Sequence, residues 1–228
     1  MYKVADLFDL SQTAHAALFV SDGPAWEALP RIKDYLAETL QPAILATVSP
    51  QAIVAENVSI GEGTIVAAGT CIEGPAIIGR NCQIRHNAYI RAQVIVGDNC
   101  VVGNACELKN ALLFNDCQVP HFNYVGDSIL GHHAHLGAGV VLSNFKSLPG
   151  NVTVQHGDEK IDTGLRKFGA LIGDCAELGC NCALNPGSII GRRSVIYPNA
   201  NWRGVLAADR IAKHRGEMEI VEKIFKDQ

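Results

Sequence analysis

The 228-residue chain carries 19 lysines and arginines against 23 aspartates and glutamates, a formal charge of −4, too near neutrality for a nucleic-acid or anionic-membrane binder. Apolar residues make up 48% but aromatics only 6%, with 22 glycines, so general disorder is excluded and the core must be built from small aliphatic side chains around many tight turns. That composition favours a repetitive β architecture.

The start, Met1-Tyr2-Lys3-Val4-Ala5-Asp6, has no basic region leading into an apolar run, and the longest uncharged stretches are broken by Pro42, Pro50 or glycines. This points to a cytoplasmic, unsecreted protein with no membrane span, its eight cysteines reduced. Residues 1–50 form a separate N-terminal segment. Within it, Ser21-Asp22-Gly23-Pro24 marks a helix start, and Trp26, Leu29, Ile32, Tyr35, Leu36 and Leu40 recur at helical spacing up to Pro42. The expected role is packing, against the main domain or a neighbouring subunit.

From residue 58 a strict six-residue period takes over. Ile60, Val66, Ile72, Ile78, Ile84, Ile90, Val96, Val102, Leu108 and Phe114 succeed one another, each preceded two positions earlier by a small or aliphatic residue, in order Val58, Thr64, Thr70, Ala76, Cys82, Ala88, Val94, Cys100, Cys106 and Leu112. Both positions are expected to point inward. The pattern resumes in a shifted register at Leu130 and Leu136, and again from Ile172 to Ile196, around a loop at 143–168. Such a period specifies a parallel β-helix solenoid, here residues 51–204, with 205–228 as a C-terminal cap. Cys82, Cys100, Cys106 and Cys182 occupy small inward slots and read as compact hydrophobes. Cys180 and Cys182 lack a partner pair at metal spacing.

Glu73, Arg91 and Lys109 lie 18 residues apart, so on triangular coils they stack along one edge, where two cations suggest an anion site. Beyond them the chain reads Pro120-His121-Phe122-Asn123-Tyr124-Val125-Gly126-Asp127-Ser128, Leu136-Gly137-Ala138-Gly139, Ser143-Asn144 and Arg166-Lys167-Phe168-Gly169-Ala170. Over about residues 58–200 this resembles the hexapeptide-repeat acyltransferases. The resemblance is to the acetyltransferase domain of the bifunctional N-acetylglucosamine-1-phosphate uridyltransferase/glucosamine-1-phosphate acetyltransferases, and to the C-terminal domain of archaeal sugar-1-phosphate nucleotidylyltransferases. It implies a left-handed β-helix of 18-residue coils, a homotrimer with sites at subunit boundaries, and acetyl-CoA as donor to the amine of an amino-sugar phosphate. Residue by residue, it implies that Arg91 and Lys109 bind phosphate, that His121 is the general base, and that Tyr124, Asn144 and Lys167 contact substrate. Ala170 and Cys180 are candidates beside the cofactor. An imidazole, which titrates near neutral pH, suits removal of a proton from an attacking amine.

The sequence departs from the family pattern in three places. His135 stands where the family has an Asn, Cys180 replaces a Ser near the acyl donor, and Asn144-Phe145-Lys146-Ser147 replaces an Asn-Tyr-Asp-Gly loop. Fifty N-terminal residues cannot hold a nucleotide-binding α/β domain, so nucleotidyl transfer is not expected. The alternative is a non-catalytic trimeric platform for a separate sugar nucleotidyltransferase. A metal site among His86, His121, His132, His133 and His135, as in β-helical carbonic anhydrases, lacks the required spacing, and no metal is expected.

Overall fold

The computed structural model describes residues 2–20 and 23–213. Short parallel strands run from Ala43–Ile44 to Ile211–Ala212, one nine-stranded sheet forming one face of the prism and a fifteen-stranded sheet wrapping the other two. This is the parallel β-helix that the repeat predicts, with the left hand that the resemblance implies, and strands extend past the expected span on both sides. Val205–Leu206 and Ile211–Ala212 close the last coil, so the first part of the anticipated cap is solenoid. Met218, Ile220, Val221, Ile224 and Phe225 lie outside the described residues.

The inward positions are filled as the period requires. Ile60, Ile72, Ile84, Ile90, Val96, Val102 and Leu108 are buried beside Cys82, Cys100, Cys106 and Cys182. All eight cysteines are free. Early coils keep partners 18 apart, as in Ala76↔Val94. The next two coils are each one residue shorter, pairing Val94↔Ala111 and Ala111↔Ser128. Ala111 and Leu113 stack on Val94 and Val96 in the core, so the inward slots fall one residue earlier than the six-residue period gives, and Leu112 and Phe114 point outward because side chains alternate across a strand. The sequence-based expectation that Leu112 and Phe114 face inward is therefore corrected.

Outward facing does not mean exposed here. Ile95, Leu112, Ile129, Leu171 and Ile189 on one face of the prism pack against Val4, Leu7, Phe8, Leu18, Trp26, Leu29, Ile32 and Leu36 of the N-terminal segment. The segment carries a 12-residue helix, Ala28–Thr39, entered through a 3-10 turn at Ala25–Glu27; Ser21 and Asp22 lie outside the described residues. Phe114 sits between Phe8 and Phe19 at ring-centroid distances of 5.2 and 5.8 Å. The 143–168 loop joins the same layer. Its antiparallel hairpin, Thr153–His156 with Glu159–Asp162, buries Val152 and Val154 there, so the loop folds back on its own chain instead of extending away from it.

Trp26 is 4% exposed and packs 6.0 Å from Phe168. Trp26→Ala is expected to lower the unfolding free energy by about 3–5 kcal/mol, the range for emptying a large aromatic site, as measured by urea denaturation.

Candidate active site

Two edges of one prism face carry the residues that the sequence singles out. The face is formed by strands that include Tyr89–Ile90, the first half of Glu107–Leu113, the first half of Tyr124–Leu130, and Val141–Leu142. Backbone bonds from Glu73 N to Ile90 O and from Arg91 N to Leu108 O confirm that Glu73, Arg91 and Lys109 stack along one edge. This is the edge where the two short coils lose their residue. Asn110 and Asp127 turn those corners with φ of +45° and +47°, a region that Asn and Asp tolerate better than most residues.

The shortened corner draws its polar side chains together around Asp127. Its carboxylate, 6% exposed, lies 3.3 Å from Lys109 Nζ and accepts from Asn110 Nδ2 at 2.8 Å and from the Asn144 amide. The same Asn144 amide donates to the Tyr124 hydroxyl at 3.2 Å. Gly126 leaves room for this arrangement, because a Cβ there would stand 2.6 Å from both Tyr124 Oη and Asn144 Nδ2. Burial, reinforced by the carboxylates of Glu107 and Asp127, pushes the Tyr124 phenol above its usual range against the opposing pull of Asn144. Tyr124 thus keeps its proton at neutral pH.

The two cations are not free. Arg91 pairs with Glu107 at 3.0 Å and Lys109 with Asp127, so this edge, with Glu73, carries three carboxylates for two cations. Tyr89 donates to Glu73. Any anion binding here would compete with these carboxylates. Lys167 reaches the same edge from the loop: its backbone bridges Phe145, and Phe168 N–H donates to Asn144 O at 3.0 Å. Its side chain is exposed.

His121 occupies the opposite edge of this face, at the end of strand Gln118–His121, and its side chain is exposed. Three residues of strand separate the edges, about 10 Å at ~3.3 Å per residue. The corner is rigid: buried Asn123 accepts from His121 N–H at 3.1 Å and donates to Gly137 O at 2.8 Å. At Gly103, a Cβ would fall 1.5 Å from Pro120 O, so only glycine lets the strand before His121 pass so closely.

Asn104, His121, Ala138 and Cys180 form a column up this second edge, linked by Phe122 N to Asn104 O, Gly139 N to His121 O and Asn181 N to Ala138 O. Cys180 and His135 line a groove of about 300 Å³ with Glu177, Tyr197 and Pro198. Ala170, by contrast, is fully buried in the solenoid core and donates its N–H to Ser128 Oγ at 3.0 Å. Its side chain is unavailable to a ligand. Asp127, Asn110 and Glu107 were not singled out by sequence. The one signal for them is the skipped residue in the period.

The period and the coils define a hexapeptide-repeat left-handed β-helix fold. Residues 72–159 match the family model described as GMPPB C-terminal domain. A bifunctional sugar-1-phosphate nucleotidylyltransferase/acetyltransferase of Sulfurisphaera tokodaii is 35% identical over 40% of this chain and 23% of its own length. The bifunctional protein GlmU of Methanococcus maripaludis is 30% identical over 50% of this chain and 28% of its own. The chain thus spans about a quarter of the length of these relatives. Perosamine N-acetyltransferase from Caulobacter crescentus, solved with CoA and GDP-perosamine, matches at 22% identity over 75% of this chain and 51% of that one, with a TM-score of 0.26.

Asp127→Ala is expected to cost about 1.5–3 kcal/mol, the range for hydrogen bonds to a charged group, because Lys109, Asn110 and Asn144 lose a buried acceptor. Asp98→Ala, which breaks a pair with the 67%-exposed Arg80, should stay within about 1 kcal/mol. Parallel urea titrations compare the two.

Proposed function

We propose that the protein is an acetyltransferase that moves an acetyl group from acetyl-CoA to the amine of an amino-sugar phosphate. The supporting observation is a single prism face with an exposed, backbone-anchored His121 on one edge and the Lys109–Asp127–Asn144–Tyr124 network on the other. The relatives that share this repeat include a named sugar-1-phosphate nucleotidylyltransferase/acetyltransferase.

In this reading the acceptor lies across the face. Arg91, the more exposed of the two cations at 38%, takes the phosphate with Lys109 and Lys167, in competition with Glu107 and Asp127. Tyr124 and Asn144 hold sugar hydroxyls. The donor runs along the His121 edge through the groove beside Cys180, placing its thioester near the imidazole. The amine nitrogen attacks the thioester carbonyl while His121 accepts the amine proton. The C–S bond then breaks, and the departing thiolate takes up a proton as free CoA.

Two prism faces are left uncovered by the N-terminal layer and display exposed Ile53, Ile65, Phe122 and Val141. Association of three chains through such faces would set sites at their boundaries, and it is the assembly we infer. Among the described residues no helix is long and apolar enough to cross a membrane. We place the reaction in the cytoplasm.

His121→Ala should keep the fold and lower acetyl transfer roughly 10² to 10⁴-fold, the usual effect of removing a positioned base. His135, which lines the donor groove, is the competing base. Turnover that survives in His121→Ala but collapses in His135→Ala would transfer the role. The ion pairs occupying Arg91 and Lys109 favour a non-catalytic platform as the second reading. Absence of turnover in the intact protein, with trimers formed, would support it.

A further inference from the structure

A third corner of the prism, remote from the face just described, holds a group with a different chemistry. Among the described residues, Asp116, His132 and His133 each offer one donor atom, and these atoms all lie within 4.8 Å of one another. The coils put them there. Asp116 and His133 turn successive coils at the same position, with φ of +63° and +55° and with His133 N–H donating to Asn115 O at 3.2 Å. His132 precedes His133, and their rings pack with centroids 4.2 Å apart.

The separations suit a small cation. Donor atoms bound at 2.0–2.1 Å to a tetrahedral ion stand about 3.4 Å from one another, and His132 Nδ1 lies 3.5 Å from Asp116 Oδ2 and 3.0 Å from the Asn115 carbonyl. Nδ1 therefore already faces two oxygens. Without an ion, the Nδ1 proton serves the carbonyl; with one, the Nδ1 lone pair and both oxygens can converge on the same point. His132 and Asp116 are 21% and 30% exposed in their side chains, and His133 is open to solvent, so an ion can enter without unfolding the corner.

We infer that Asp116, His132 and His133 form a binding site for a divalent first-row transition cation, with zinc as the representative. Two imidazoles and a carboxylate form a nitrogen-rich set that favours such ions over magnesium or calcium, which prefer oxygen donors throughout. The corner also receives the N-terminal segment, since Asn115 N–H donates to Gln12 O at 3.2 Å and Asp174, one coil above, accepts from both His132 N and Asp9 N. A bound ion would tie together the coils on which that segment rests.

Calorimetric titration of the 228-residue chain with zinc chloride tests this directly. One ion per chain is expected, together with a rise in melting temperature as zinc is added. Asp116→Asn and His133→Asn, chosen because Asn tolerates the left-handed backbone, and His132→Ala should each weaken binding at least about tenfold, the lower end of what loss of even a supporting partner costs a metal site. His86→Ala should bind as the wild type does. Circular dichroism checks that each variant is folded. No heat of binding in the wild type would overturn the inference. Equal overturning force belongs to affinity unchanged in all three variants, which would put the ion elsewhere, as on the exposed thiols of Cys175 and Cys180.

Discussion

The structure depends on one constraint: the strands of each coil find their backbone hydrogen-bond partners in the coils above and below. A parallel ladder of short strands offers no other way to satisfy those groups, because no strand here is long enough to stand alone. Coil length is therefore held nearly constant, and inward residues repeat at fixed spacing. Each coil stacks its side chains over those of the last, which is how residues 17 or 18 apart in sequence become neighbours along an edge. One coil alone would bury too little; stacked coils share a continuous core.

Departures from constant length are consequently concentrated and consequential. Two of the shortened coils lose their residue on the same edge, at Asn110 and Asp127, and the tighter corner turns polar side chains toward one another instead of toward solvent. The buried Asp127 carboxylate then organises Lys109, Asn110 and Asn144, while the long 143–168 connection returns to place Lys167 beside them. The register slip also places Leu112 and Phe114 on the outward face, where they extend the apolar surface of Ile95 that the N-terminal segment covers. One missing residue per coil thus links the candidate site to the helical layer.

Most of the fold was legible in the sequence because a six-residue period reports directly on which side chains are buried. Trp26, Leu29, Ile32 and Leu36 likewise showed a helical stripe that the structure buries. The period could not show where it slips by one, since Leu112 and Phe114 are as apolar as the core residues that precede them in the repeat. The edge stacking of Arg91 and Lys109 was also legible, but their carboxylate partners were not. Glu107 lies 16 residues from Arg91 and Asp127 lies 18 from Lys109, and only the three-dimensional corner decides that these pairs meet. Ala170 fell on an inward slot that the motif alone did not distinguish from a surface one.

Acyl transfer to an amine, across the face between the His121 edge and the Asp127 edge, is tested most directly on the purified wild-type protein. Incubation with acetyl-CoA and a panel of amino-sugar phosphates, with the acceptors followed by mass spectrometry, is the decisive measurement. An N-acetylated acceptor is expected to form in step with free CoA, and only when an acceptor bearing a primary amine is present. Hydrolysis of acetyl-CoA without acceptor modification, or no consumption of acetyl-CoA with any amine offered, would contradict the proposed reaction.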